Sequence, residues 1–384
     1  MVRSEGISRA QFLVGAGAAG VAAAAGSVLP AERAEAAGTA GREARRRGLT
    51  YRGVCYEVAE GETPGTAWSA ARMRKDLRVI KEELHASSVK VTGDGVDRLT
   101  ATSSEAAERG LHVWLEPTLG DRPEREILDH LAEAGRHAER LRRQGARVLL
   151  SVGCEFWLYV PGIVPGDDVT ERIKNLLAGN FDPDRMRRRL HSFTARAAKT
   201  GRSVFRGEMS YAAAQDDEVD WSLFDIVGID YYSFFPCRAD YVRELTTYQR
   251  WGKPVAISEF GTCTFKGAPQ QGGMGWNNVD YDKQPPEITG KLVRSERTQA
   301  AYLADMLEVF ESMGLYAAMA YTFVTPDAPH SPEPRYDLDM ASYSIVKAIK
   351  DRPHDPESDW HWEPKQAFHA LARHYDRARC RPAP

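Results

Sequence analysis

From about residue 50 onward, short continuous apolar runs alternate with longer amphipathic stretches. The runs Arg52–Tyr56, Ser88–Thr92, Leu111–Leu115, Val148–Gly153, Ser203–Gly207, Ile226–Asp230, Val255–Ser258 and Ala317–Phe323 lack the polar alternation of a half-exposed strand. They predict strands covered on both faces. Between them, apolar residues recur at helical spacing over Trp68–His85, Thr102–Arg109, Glu124–Gln144, Asp182–Thr200, Ala239–Arg250 and Ser295–Gly314, and a last helix is expected over Pro364–Tyr375. Asp182-Pro183 supplies a cap and a first turn, and Gly110, Gly145, Gly201 and Gly314 stand where helices would stop before the next strand. Strand and helix in alternation, with connections too long for hairpins, predict one α/β domain, a single (β/α)8 TIM barrel over residues 50–376. Residues 377–384 form a short tail.

Two connections are longer than the barrel requires: 156–181 after the fourth strand and 263–294 after the seventh. Both follow strand C-termini and would overhang the mouth, where loops of this length are usually functional. The second contains Gly272-Gly-Met-Gly-Trp276, glycines beside an aromatic plate.

Residues 1–36 read as an export signal. Arg3 and Arg9 precede an Ala/Gly-rich apolar run from Phe12 to Leu29, and Ala34-Glu-Ala36 offers a small-x-small cleavage site. Ser8-Arg-Ala-Gln-Phe12-Leu13 is like the twin-arginine pattern with Ala10 at the second arginine, so either translocon could serve. Residues 37–49, with Arg45-Arg-Arg47, form a flexible linker. The expected location is secreted or extracytoplasmic, with no membrane attachment once the signal is cleaved.

Composition narrows the partners. Of 384 residues 42% are apolar, enough for a large core, and the net charge of −3 comes from acids and bases mixed along the helices. No basic patch suits a phosphate backbone, so nucleic acid is not expected. Five cysteines, Cys55, Cys154, Cys237, Cys263 and Cys380, form no Cys-x-x-Cys pair. Four of them fall near predicted strand ends, as small fillers beneath a site or as a metal cluster.

In a parallel barrel, chemistry sits at the C-terminal ends of the strands. Here Glu57, Asp94, Glu116, Glu155, Glu208, Asp230 and Glu259 are expected at those ends. So crowded a ring must be partly paired, with Lys90, Arg52 and Arg206 as available cations, and some acids would only close the barrel top. Alternation puts Glu155 on one face with Gly153 and Ser151, turning Cys154, Val152 and Leu150 to the helices, and puts Glu259 with Ile257 and Val255. Both glutamates can then converge on the axis.

These residues resemble a known group. Glu155 in Val-Gly-Cys-Glu-Phe-Trp, Glu259 in Ile-Ser-Glu-Phe-Gly and Tyr232 in Ile-Asp-Tyr-Tyr-Ser are similar to the motifs of the (β/α)8 retaining glycoside hydrolase clan. The resemblance implies Glu155 as acid/base on strand four, Glu259 as nucleophile on strand seven and Tyr232 as its holder. The clan's asparagine before the acid/base is Cys154 here, and its strand-eight aromatic would be Tyr321 or Phe323. The tail resembles a second group: Tyr336-Asp-Leu-Asp-Met-Ala-Ser-Tyr-Ser-Ile-Val346 and Trp362-Glu-Pro-Lys-Gln-Ala-Phe-His-Ala-Leu371 are similar to exported bacterial proteins labelled abortive phage infection proteins.

The implied reaction is cleavage of a glycosidic bond with retention. Desolvation near Trp157 and the second carboxylate would keep a proton on Glu155 for the leaving oxygen, while ionised Glu259 attacks the anomeric carbon. Such carboxyls lie about 5–5.5 Å apart. Glu57, Glu116, Glu208, Asp230 and Tyr232 would line the substrate, and Trp157, Tyr159, Trp276, Tyr321 and Phe323 offer faces for sugar rings. The partner is a carbohydrate, and neither cofactor nor metal is implied. A metallohydrolase would need His-x-His near strand one, a pattern that none of the ten histidines forms. Gly15-Ala-Gly17-Ala-Ala-Gly20 falls inside the export signal and opens no dinucleotide site. The remaining alternative is a barrel that binds glycan without cleaving it, or that serves phage defence or a cell-envelope interaction.

Overall fold

The computed structural model describes residues 48–58, 66–215, 217–353, 355 and 357–379. The export signal, most of the linker and Cys380 lie outside these residues. Among the described residues no helix is long and apolar enough to cross a membrane.

The barrel strands are β1 (Tyr51–Glu57), β2 (Ser88–Gly93), β3 (His112–Pro117), β4 (Val148–Cys154), β5 (Met209–Ala214), β6 (Val227–Tyr231), β7 (Val255–Phe260) and β8 (Ala317–Ala320). They close in the order β1-β8-β7-β6-β5-β4-β3-β2, and every neighbouring pair is parallel. Most of their residues are buried, as strands wrapped by helices must be. The helices are α1 (Ala70–Glu82), α2 (Val96–Glu108), α3 (Glu124–Arg143), α4 (Val169–Leu177), α5 (Pro183–Val204), α6 (Arg238–Thr246), α7 (Glu296–Met313) and α8 (Gln366–Arg379). The expected cap is present: Asp182 accepts from the amides of Asp184 and Arg185 at 3.0 and 3.1 Å, with Pro183 in the first turn.

One predicted strand is displaced. The run 203–207 is not β5, because α5 passes through Gly201 and ends only at Val204. Gly201 is no stop signal. A Cβ there would lie 3.1 Å from Met209 Cε and 3.2 Å from Val152 Cγ1, so the glycine lets the helix approach the sheet closely. The true strand, Met-Ser-Tyr-Ala-Ala-Ala, is rich in a residue that favours helices and is a weak strand former.

After β8 the chain inserts a lobe before α8, built from short 3₁₀ turns at Pro334–Tyr336 and Leu338–Ala341 and the antiparallel hairpin β9 (Val346–Lys350) with β10 (Trp360–Pro364). Its hairpin docks on α1 around a fully buried acid, Asp76. The Trp362 indole donates to Asp76 Oδ1 at 2.8 Å, and the Tyr56 hydroxyl to Oδ2 at 3.0 Å. Arg72 and Lys75 lie over the rings of Trp360 and Trp362. Burial pushes the Asp76 carboxyl up from 3.8 to about 6, against the pull of its two donors. The folded protein therefore holds this proton more tightly than the unfolded chain. The resulting stability is complete below about pH 4 and is lost as pH rises through about 6, a term on the order of 2–3 kcal/mol. Asp76→Asn is expected to flatten the fall in stability between these pH values. Urea titrations at pH 4 and 7 would show it, and an unchanged slope would remove Asp76 as its source.

Candidate active site

The mouth of the barrel is organised around one ammonium group. Lys90, on β2, is completely buried and reaches across the barrel to Glu259 Oε1 at 2.9 Å and Glu116 Oε2 at 3.0 Å, with Asp230 Oδ1 at 3.9 Å. A buried charge of either sign is costly alone, and an ammonium among carboxylates offsets that cost. The other oxygen of Glu259 accepts from the Tyr232 hydroxyl at 2.9 Å. Both oxygens of this carboxylate are thus held. Burial first, and then the charge of Glu259, keeps the Tyr232 phenol well above its ordinary range, so it acts as a donor.

Two irregular strands aim the side chains. β7 shifts register between Ile257 and Phe260 against β8 and between Ile257 and Glu259 against β6. Strict alternation therefore fails, and the adjacent Ser258 and Glu259 both serve the cluster: the Ser258 hydroxyl donates to Asp230 Oδ1 at 2.6 Å. β4 shifts between Ser151 and Cys154. Gly153 takes φ +149 there, and a Cβ on it would lie 2.4 Å from Phe156 Cε1. Glu155 follows in the left-handed region with φ 35, a conformation that non-glycine residues adopt at some cost and that concentrates at functional sites. Its amide donates to Ala212 O at 2.8 Å, and the Phe156 amide to the Tyr211 hydroxyl oxygen at 2.8 Å.

This bulge corrects the expectation for Cys154. Its thiol does not face the helices: it points inward and donates to Asp230 Oδ2 at 3.3 Å. The ligand atoms of Glu116, Cys154 and Glu259 lie within 4.8 Å of one another, a grouping able to hold a metal ion. The Lys90 ammonium already contacts both glutamates of that group. Among the described cysteines all are free thiols, three buried and Cys237 exposed.

The remaining candidates divide. Glu57, at the end of β1, accepts from the Tyr321 hydroxyl just beyond β8, so these two share one wall. Glu116 accepts from Thr92 at 2.9 Å as well as meeting Lys90. Asp230, almost fully buried, is taken up by Ser258, Cys154 and Lys90, so it supports the cluster and does not line a substrate surface. Asp94 turns away and pairs with Arg98 at 2.8 Å. Glu208 must be withdrawn from the site. It precedes β5 and bonds Tyr316, which precedes β8, so it lies at the opposite end of the barrel. Phe323 is also withdrawn: it is buried against Trp362 and Tyr56, outside the barrel on the α1 side. Trp157 and Trp276 are buried in the two long loops, and neither indole N–H finds a hydrogen-bond partner among the described residues.

Sequence reasoning missed Thr92 and Ser258, whose strand positions gave no sign of function, and Tyr343, which comes from the lobe after β8. The ring of Tyr343 meets those of Tyr232 and Tyr321 at 5.6 and 6.1 Å. Its signal was the tail motif, which carried no spacing relation to the strand ends.

The described residues thus form a parallel eight-stranded barrel with acids and Lys90 gathered at its C-terminal mouth. Solved structures that share this fold include glycoside hydrolases. A GH113 β-1,4-mannanase complex superposes with TM-score 0.54 at 14% identity, covering 85% of this chain and 99% of that one. The GH113 β-mannanase of Alicyclobacillus acidocaldarius gives 0.55 at 14%, over 87% and 99%. A β-glucuronidase of Bacteroides uniformis gives 0.52 at 13%, over 86% of this chain but 36% of that one. At these identities the likeness establishes the shared fold. No protein-family model and no curated protein matches the sequence.

Proposed function

We propose that the protein is an exported retaining glycoside hydrolase, with Glu259 as nucleophile and Glu155 as acid/base. The observation that carries this reading is the double hold on Glu259 by Lys90 and Tyr232, which fixes a carboxylate at the mouth with its charge compensated and its direction set. Glu155, in its left-handed turn at the end of β4, gives a proton to the leaving oxygen and then takes one from water. Glu259 attacks the anomeric carbon as the leaving group departs, and water later releases the sugar from the ester. The unpartnered indole donors of Trp157 and Trp276 are suited to sugar oxygens.

The charge of the mouth narrows the sugar. Glu116, Asp230 and Glu259 gather round the Lys90 ammonium and Glu57 lies on the wall beside Tyr321, so a neutral glycoside fits and a uronate would be repelled. The mannanase likeness therefore guides the substrate choice better than the glucuronidase likeness. The reading without catalysis, glycan binding or a defence or envelope role, is favoured by one observation: Glu155 and Glu259 are both buried, 8% and 1% exposed.

A panel of nitrophenyl glycosides and β-1,4-mannan tests both. Turnover of neutral β-glycosides is expected, with the first-formed sugar in the β configuration by proton NMR and no turnover of the β-glucuronide. Binding without turnover would select the other reading, and an α first product would overturn retention.

A further inference from the structure

The lobe after β8 carries the motif that the barrel alone leaves unexplained, and its charged residues form a second buried network behind the mouth. Lys365 is completely buried. It bonds Asp339 at 2.8 Å and the Thr264 hydroxyl at 2.9 Å. Arg294 closes the cluster from the long β7 loop, reaching Asp339 at 2.9 Å and Asp337 at 3.0 Å. The Gln299 side-chain amide, from α7, donates to the carbonyls of Thr262, Tyr343 and Ser344 at 3.0–3.2 Å. Backbone bonds from Thr264 to Met340 and from Ile345 to Thr322 stitch the lobe to the loops after β7 and β8. So the ends of 337–345 are pinned on both sides of Tyr343.

That pinning drives the Tyr343 ring between three loops of the mouth. It packs on Tyr232 after β6 and on Tyr321 after β8, while its hydroxyl donates to Gly272 O at 3.0 Å in the β7 loop. A Cβ on Gly261, two residues past Glu259, would come within 3.3 Å of the Tyr343 ring. Its two tyrosine neighbours are the residues whose hydroxyls donate to site carboxylates, Tyr232 to Glu259 and Tyr321 to Glu57. One ring therefore buttresses both donors.

We propose that Tyr343 is a positioning residue: held by the Asp339–Lys365–Arg294 cluster, it sets the direction of the nucleophile Glu259 and of the wall acid Glu57 through Tyr232 and Tyr321. This rests on the hydrolase reading for its effect on rate, and on geometry alone for its effect on the site. A buttress that touches no substrate should act on the chemical step and leave binding nearly intact.

The test compares wild type, Tyr343→Phe and Tyr343→Ala in the full chain, with 4-nitrophenyl β-D-mannopyranoside as probe and a crystal structure of the alanine variant. Tyr343→Phe keeps the wedge and is expected within about threefold of wild type, whereas Tyr343→Ala is expected to lose about 10²-fold in kcat with KM changed little, the effect of a misplaced reacting group. The crystal structure should show the Tyr232–Glu259 hydrogen bond broken or lengthened. If the alanine variant does not fold, Tyr343→Leu, which fills part of the space without the planar contact, takes its place. A folded variant with wild-type kcat, or with Tyr232 still on Glu259, would overturn the proposal. Should the wild type cleave no glycoside, the hydrolase reading fails, and the crystal structure still decides the positioning role.

Discussion

Replacing Glu259 by glutamine is expected to abolish glycoside turnover, by a factor on the order of 10⁴ or more, while leaving the protein folded. The amide is the same size, and its oxygen can still accept from Tyr232. What it loses is the negative charge with which the proposed nucleophile would form the bond to the anomeric carbon. Glu116 and Asp230 remain beside Lys90, so the ammonium keeps carboxylate partners. A second variant makes the test specific to a nucleophile. With Glu259→Ala and a dinitrophenyl glycoside, azide is expected to enter the vacated space and displace the phenolate, giving a glycosyl azide of inverted configuration. The bond to the leaving oxygen breaks as the bond to nitrogen forms, and no proton is needed for so good a leaving group. Undiminished activity in the glutamine variant would defeat the assignment outright. A stable, inactive variant that azide fails to restore would leave Glu259 essential but not as the attacking group.

The second large effect belongs to Lys90. Its ammonium is the shared cation of Glu116, Glu259 and, at longer range, Asp230, all almost or fully buried. Lys90→Met keeps the length of the side chain and removes the charge. Breaking one side of a buried ion cluster costs about 3–5 kcal/mol, because the acids left behind lose a charge that offsets their desolvation. The variant is expected to lose stability by that amount in urea denaturation and, in the fraction that folds, to lose turnover as well. Lys90→Arg is a useful control, since it restores charge with a planar fork that cannot occupy the same point. A methionine variant as stable and active as the wild type would show that the acids are neutralised some other way.

How far these features could be read from residues alone varies with the kind of signal. The β7 run ending Ile-Ser-Glu-Phe-Gly stood out because an apolar strand closing on an acid is conspicuous in any parallel barrel, and Tyr232 could be paired with it by its motif. Lys90 was visible as an available cation, but nothing local named which acids it would meet. The placements that failed did so for definite physical reasons. Glycine at 201 serves close packing and not helix termination, which moved the fifth strand and carried Glu208 to the far end of the barrel. Counting by twos cannot foresee a bulge, so Cys154 was turned the wrong way. Phe323 differs from Tyr321 by two residues, yet the chain has left the barrel by then and Phe323 faces the hairpin. Tyr343 is beyond any periodicity argument, since its neighbours come from loops that only the closed barrel brings together.

The Lys365–Thr264 bond joins residues 101 positions apart, and the later of them lies close to the last helix. A ribosome releases the barrel's acids well before it releases their buttress. Throughout that interval the nascent chain holds Glu259 and Tyr232 without the ring that packs on Tyr232. A product truncated after β8 would keep Glu259 and Tyr232 but lack Tyr343 and the Asp339–Lys365 pair that pins it.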